Sequence, residues 1–333
     1  MREPAFWWRA GGLAAALLAP VAAAYGAIAA WRLRQSGRRA GIPVLCVGNL
    51  TVGGAGKTPT AIAVADLLSE AGMRPFLLSR GYGGSLTGPL RVDPLRHRAR
   101  EVGDEALLLA RAAPVIVSAD RAAGADMARA EGADVIVMDD GFQNPALAKD
   151  LSLIVIDGRR GIGNGAVCPA GPLRAPLKAQ LDRAQALLVV EPDAGAEGVL
   201  AQARTRSLPI FHGRLVPDPD GLAALAGRKV LAFAGIGDPE KFFATLTGAG
   251  VEVLVRQGFP DHHRYGRAEA VDLIARAERE GLVLVTTEKD LARLAGEDDV
   301  AALARQARAL PVKLAVDEQA AFRDLILKAA GVR

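Results

Sequence analysis

Short apolar runs recur along this chain at intervals that leave room for a helix between each pair. After residue 41 they are Val44-Leu45-Cys46-Val47, Phe76 to Leu78, Val115 to Val117, Val135 to Met138, Leu153 to Ile156 and Leu187 to Val190. Runs this short and this uniformly apolar predict strands buried on both faces, and the intervening stretches carry helical spacing. Strand and helix in alternation predict a mostly parallel sheet with helices on both faces. Pro217-Asp218-Pro219-Asp220-Gly221 is the strongest break in the second half. Beyond it a new series begins: Val230 to Ala234, Val251 to Val255, Leu282 to Val285 and Val312 to Ala315. The expected organisation is an N-terminal segment over 1–40, an α/β core over 41–216 and a smaller C-terminal α/β domain over 222–333.

The N-terminal segment has a different pattern. From Ala10 to Trp31 there are 22 residues without a charge, flanked by Arg2 and Arg9 before and Arg32, Arg34, Arg38 and Arg39 after. That length can cross a bilayer. Yet 11 of the 22 are Ala, Pro20 interrupts the middle, and Trp7, Trp8, Tyr25 and Trp31 sit where interfacial anchors would. A spanning helix and a shallow monotopic one are equally compatible with this, and a buried Ala-rich core helix is a third reading. A cleaved signal peptide has a similar layout, but the heavier Arg cluster after Trp31 holds the following domain on the cytoplasmic side.

Composition narrows the function classes. Of the net charge of +4, residues 1–40 supply six Arg against one Glu, so everything after them is slightly acidic. The basic excess therefore belongs beside a membrane and not in a nucleic-acid groove. Aromatic residues make up only 5%, which argues further against stacking platforms for nucleic acid. Cys46 and Cys168 are far apart and lack metal-ligand spacing, which fits a reducing compartment without structural zinc. Nothing in the chain calls for an obligate protein partner.

Thr51-Val52-Gly53-Gly54-Ala55-Gly56-Lys57-Thr58 follows the first core strand and opens a helical pattern, the context of a phosphate-binding loop. Glycines let backbone N–H groups curl around phosphate oxygens, Lys57 reaches the outer phosphates, and the Thr58 hydroxyl can ligate Mg²⁺. Thr51 stands where the usual first glycine would be, and Gly53 and Gly54 are expected to supply the lost flexibility. A nucleoside triphosphate is the expected ligand, and a P-loop NTPase-like core the expected fold.

Other constellations fall at the same sheet edge. Asp139 and Asp140 end an apolar strand, where a phosphate-loop enzyme holds Mg²⁺ and its water. Asp104 and Glu105 stand at the start of a helical run, and by spacing alone Asp104 reads first as a helix cap. His262 and His263 follow Phe259-Pro260-Asp261 on a loop from which an imidazole can pair with a carboxylate across an inter-domain cleft. Arg159, Arg160 and Arg174 lie on a Gly/Pro-rich loop facing the ligand crevice and can bind phosphate or remain solvated. Thr287-Glu288-Lys289-Asp290 loosely resembles a guanine-reading Asn-Lys-x-Asp but lacks the Asn and sits in the second domain, which favours ATP over GTP.

Together these motifs resemble one family, the tetraacyldisaccharide 4'-kinases of lipid A biosynthesis. The matching stretches are Val47 to Gly54 with Gly56-Lys57-Thr58-Pro59, Ser79-Arg80-Gly81-Tyr82-Gly83, Gly103-Asp104-Glu105, Asp120-Arg121 and Asp139-Asp140-Gly141-Phe142-Gln143. They continue with Gly163-Asn164-Gly165, Pro169 to Arg174, Phe259 to His263 and Thr287 to Asp290, in family order over nearly the whole chain. Thr51 is itself typical of that family. The resemblance implies transfer of the ATP γ-phosphate to the 4'-hydroxyl of an acylated glucosamine disaccharide 1-phosphate at the cytoplasmic face of the bacterial inner membrane, with residues 10–31 meeting the bilayer. It implies that Asp104, paired with His262, accepts the sugar hydroxyl proton, reversing the preference for a cap. It also implies that Thr58, Glu105, Asp139 and Asp140 organise Mg²⁺ and that Lys57 stabilises the transferred group. Asn144 stands where members often have His, and Ala106 where they often have Pro, so no imidazole role carries over to residue 144. A P-loop kinase or ligase with a soluble substrate, and a membrane-attached nucleotide switch, are the alternatives.

Overall fold

The computed structural model describes residues 3–9 and 11–332; Arg2 and Ala10, which begin the basic flank and the apolar segment, lie outside the described residues. Two sheets organise the chain. Nine strands build the first: β1 (Val44–Asn49), β2 (Pro75–Ser79), β3 (Leu90–Arg91), β4 (Val115–Val117), β5 (Val135–Asp139), β6 (Leu151–Asp157), β7 (Ala186–Val190), β8 (Ile210–Pro217) and, after an excursion, β13 (Val312–Val316). Between β8 and β13 the chain makes the second sheet from β9 (Lys229–Ala234), β10 (Glu252–Gly258), β11 (Val283–Thr286) and β12 (Arg308–Ala309).

The large sheet runs β13-β8-β7-β6-β1-β5-β2-β4-β3, parallel except for the edge pairs β13 with β8 and β3 with β4. The small one runs β10-β9-β11-β12, parallel throughout. Continuous apolar runs were the signal for these strands because both sheet faces are covered. Leu45, Val47, Leu77 and Val137 point to the side of the helices Lys57–Glu70, Asp104–Leu109 and Gln319–Ala329. Their neighbours Val44, Cys46, Leu78 and Ile136 point to the side of Arg121–Ala130 and Glu197–Arg204. The segment 312–332 corrects the expected division of the chain. Val312–Val316 does not extend the small sheet but pairs antiparallel with β8, with Leu314 beside Leu215, and Phe322 and Ile326 of the last helix join the core of the large one.

Strands β5 and β6 are consecutive in the chain yet flank β1 on opposite sides: Leu45 lies beside both Val137 and Leu151. The order of connection reverses there, and open α/β sheets bind ligands beyond the carboxyl end of the strand at such a point.

The helix Leu13–Arg34 is long and apolar enough to cross a membrane by length and composition. It has two apolar faces. Ala22, Gly26, Ala30 and Leu33, three and four apart, are buried against the body, and a Cβ on Gly26 would lie 3.4 Å from Pro176. Leu13, Leu17, Val21, Tyr25, Ile28 and Trp31 form the opposite stripe and are exposed. A buried core helix is thereby excluded. Trp7 and Trp8, expected as interfacial anchors, pack instead on the loop after β6: the Trp7 indole donates to the Pro169 carbonyl at 2.9 Å, and Arg160 lies over the Trp8 ring.

Candidate active site

The phosphate-loop residues sit at that carboxyl end of β1. Thr51 is not glycine-like in backbone; it makes an isolated antiparallel bridge to Leu173, and the Val52 N–H donates to the Pro172 carbonyl at 2.8 Å. Extended backbone suits a β-branched residue, so the missing glycine costs nothing here. Gly53 (φ +102°) and Gly56 (φ +89°) supply the left-handed turns, whereas Gly54 has ordinary φ and open space around it. Ala55 is buried and Val52 exposed. Gly56 then caps the helix Lys57–Glu70, so that its free N–H groups open into the crevice. Lys57 folds back, donating to the Gly53 carbonyl at 3.3 Å and lying 3.9 Å from the Asp140 carboxylate; burial lowers its pKa. Thr58, behind it, is buried. Asn49 holds the loop from below, its amide donating to the Gly53 carbonyl at 3.1 Å.

Two carboxylates face the loop from the end of β5. Asp139 is 2% exposed, and its Oδ1 has no hydrogen-bond partner. Burial first, then the charges of Glu105 and Asp140, push its pKa up to about 7. Asp140 takes a left-handed backbone (φ +51°) that swings its side chain to Arg174, which binds both oxygens at 2.9 and 3.1 Å and also donates to the Thr51 carbonyl at 2.8 Å. Burial raises the Asp140 pKa, but Lys57 and Arg174 outweigh it and hold the carboxyl below its ordinary value. Arg174 thus clamps Asp140 to the loop, and Arg160 bridges Glu3 at 2.9 Å and Asp238 at 3.1 Å.

Asp104 and Glu105 head the short helix Asp104–Leu109 next to this edge. The cap position belongs to Gly103 (φ +88°), so Asp104 is the first helical residue and does not cap it. Its carboxylate is 4% exposed and lies 3.4 Å from His262 Nδ1. Burial pushes its pKa up, yet the His262 hydrogen bond and the charges of Arg293 and Lys289 hold the group anionic, well below the usual carboxylate range. His262 itself has φ +53°, meets Tyr82 edge-on, and is raised in pKa by Asp104. His263 and His212 lie apart from it, bonded to Glu269 and Glu318.

Two cations from the helix after β11, Glu288–Leu294, enter the site that spacing did not suggest. Lys289 donates to Glu105 at 2.6 Å, and Arg293 to Asp104 at 2.6 Å. The available signal was a Lys and an Arg four residues apart on one helix, just after Thr287, whose hydroxyl accepts from the Asp290 N–H as a cap. Lys289 therefore pairs with a carboxylate. Asn144 makes a turn, its side chain accepting from the Ala146 N–H at 2.8 Å. Among the described residues no three His, Cys, Asp or Glu side chains gather at metal-binding spacing.

Residues 14–331 match the model of the family described as tetraacyldisaccharide-1-P 4'-kinase. A Rhodopseudomonas palustris (strain BisA53) protein named tetraacyldisaccharide 4'-kinase is 56% identical over 331 residues, covering 99% of this chain and 96% of its own length. A Nitrobacter winogradskyi protein of the same name is 55% identical over 98% of this chain and 97% of its own. The crystal structure of the "apo" form of LpxK from Aquifex aeolicus in complex with ATP superposes with a TM-score of 0.73 at 29% identity, over 95% of this chain and 99% of that one. With the family model matched by residues 14–331, and relatives at 56% and 55% identity covering 99% and 98% of it, the chain belongs to the tetraacyldisaccharide 4'-kinase family.

Proposed function

We propose that this kinase transfers the γ-phosphate of ATP to the 4'-hydroxyl of tetraacyldisaccharide 1-phosphate, giving the 1,4'-bisphosphate. The observation that carries this reading is the meeting of a phosphate loop with a buried Asp104 paired to the partly exposed His262 at one sheet edge. In the proposed step the 4'-oxygen bonds to the γ-phosphorus as the bond from that phosphorus to the β,γ-bridging oxygen breaks. The hydroxyl proton goes to Asp104, and ADP leaves. Such a transfer depends mainly on positioning and on neutralising charge. Lys57 and the N–H groups at the start of its helix supply that charge on the nucleotide side. Asp104 is in the anionic form that can accept a proton, although the same contacts lower its basicity, and His262 Nδ1 lies 3.4 Å from it.

Of the carboxylates proposed for Mg²⁺, Asp139 has a free oxygen, while Asp140 is bound by Arg174 and Glu105 by Lys289, contacts that the ion would have to share. Asp139 has an unpartnered oxygen, and its pKa is raised by burial and then by the charges of Glu105 and Asp140, which a bound cation would offset. Asp140, Glu105 and the Thr58 hydroxyl are the other proposed holders, with phosphate oxygens and water completing a shell that this ion seldom draws from protein alone. When bound it would neutralise charge on the β- and γ-phosphates.

The helix Leu13–Arg34 is proposed to lie in the cytoplasmic interface of the inner membrane. Its inner face is occupied by the body, and its outer apolar stripe would enter the acyl boundary beside the crevice, where an acylated substrate resides. The decisive experiment is incubation with γ-labelled ATP and tetraacyldisaccharide 1-phosphate in mixed micelles. Label in the lipid is the expected result, and ATP turnover that ignores the lipid would sink the reading.

A further inference from the structure

We propose that Arg293 is a positioning residue for the transfer reaction, reaching across from the second sheet to fix the Asp104 carboxylate. The proposal rests on the reading of Asp104 as the base. Asp104 and Glu105 are consecutive, so they leave their helix in different directions. On the facing helix Glu288–Leu294, Lys289 and Arg293 are one turn apart, and each takes one of the two.

Arg293 is set more rigidly than an interface ion pair requires. Its Nε donates to Asp104 Oδ2 at 2.6 Å, and Nη2 lies 2.6 Å from the same oxygen. The far side of the guanidinium is anchored, with Nη1 donating to the Gly235 carbonyl at 2.6 Å and to Asp290 at 2.7 Å. Asp290 is fully buried and is itself fixed by the Gly235 N–H, the Tyr265 hydroxyl and the Thr287 hydroxyl. Arg293 and Asp104 are both almost out of contact with water, at 7% and 4%. Arg293 and His262 therefore occupy Oδ2, while Oδ1 accepts only the adjacent Glu105 N–H at 3.0 Å and keeps lone-pair capacity for a substrate proton. A planar guanidinium held from behind fixes where Oδ2 sits, which a flexible ammonium cannot do as well.

The same interface supplies a control. Arg111–Glu288 at 2.8 Å and Arg100–Glu297 at 2.9 Å also join the two sheets' elements, but their arginines are half exposed and neither pair touches Asp104. If Arg293 only held the units together, removing an outer pair would act in the same way.

The test uses the full chain in micelles with ATP and tetraacyldisaccharide 1-phosphate, comparing Arg293→Met, Arg293→Lys, Arg111→Gln and Asp104→Asn. Misplacing a catalytic group by about 1 Å can cost roughly 100-fold, so Arg293→Met is expected to lower kcat by about that factor with KM for ATP unchanged. Arg293→Lys should recover part of the loss, and Arg111→Gln should keep wild-type kcat. Wild-type kcat in Arg293→Met beside an inactive Asp104→Asn would overturn the positioning role and leave the base intact. Equal losses in Arg111→Gln and Arg293→Met would also overturn it, whereas an active Asp104→Asn would instead remove the base. Should Arg293→Met fail to fold by circular dichroism, Arg293→Lys carries the test: reduced kcat supports the proposal, and kcat equal to that of Arg111→Gln refutes it.

Discussion

The phosphate loop and the face that the second sheet turns toward it hold the same crevice by opposite means. The loop is eight consecutive residues whose working parts are backbone: two left-handed glycines and the open start of a helix. The opposing face is made of side chains from distant segments, with Arg293 meeting Asp104 across 189 residues and Lys289 meeting Glu105 across 184. A backbone site tolerates an odd side chain where the main chain stays extended, as Thr51 does. A charge site does not, because removing one member of a buried pair leaves the other uncompensated.

That contrast can be broken most forcefully at its two centres. Asp104→Asn should lower lipid phosphorylation by roughly 1,000-fold, within the range for loss of a general base, while ATP binding by calorimetry stays as in the wild type. Lys57→Ala should lose both together. Turnover that survives in Asp104→Asn would make the second face structural only.

On the membrane side, Leu17→Glu combined with Ile28→Glu should move most of the protein from vesicles to the supernatant in a flotation assay, with an unchanged melting temperature, because both residues are exposed. A lowered melting temperature would mean the stripe is packed against protein.

Smaller in size is the effect of the buried carboxylate. Asp139 rises from 3.8 to about 7 on folding, so between those values the folded protein keeps a proton that the unfolded chain has released. Stability of the metal-free protein therefore falls as pH rises through that window and stays low above it. Asp139→Asn should raise the melting temperature more at pH 8 than at pH 5 while abolishing turnover. A larger gain at pH 5 would contradict the sign.

The finest distinction lies within the loop. Gly56→Ala places a side chain at φ +89°, a strain of about 1–2 kcal/mol, and should weaken ATP binding by roughly tenfold. Gly54→Ala, with ordinary φ and nothing within 4 Å of the added carbon, should change little. Equal effects would mean that something other than backbone strain governs the loop.

Much of the fold was legible because its signals are local. The apolar runs of β1, β5 and β6, the Gly-Lys-Thr helix start and the uncharged stretch before residue 32 each read from a window of a few residues. The antiparallel return of Val312–Val316 was not legible, since an apolar pentapeptide carries no mark of which sheet it will join. Trp7 and Trp8 misled for a related reason: an aromatic near an apolar helix suits an interface equally well inside a protein groove or in a bilayer.

The sequence by itself determined the phosphate loop, the order of strands and helices, the acidic ends of β5 and the apolar N-terminal helix, because each depends on backbone preference or periodicity within a short span. Only the tertiary structure decided that Asp104 is clasped by Arg293 and His262, that Lys289 answers Glu105, and that one face of the N-terminal helix is already filled. Those contacts are Coulombic and packing terms between segments far apart in the chain, and such terms have no address until the chain has folded and the helices Asp104–Leu109 and Glu288–Leu294 meet.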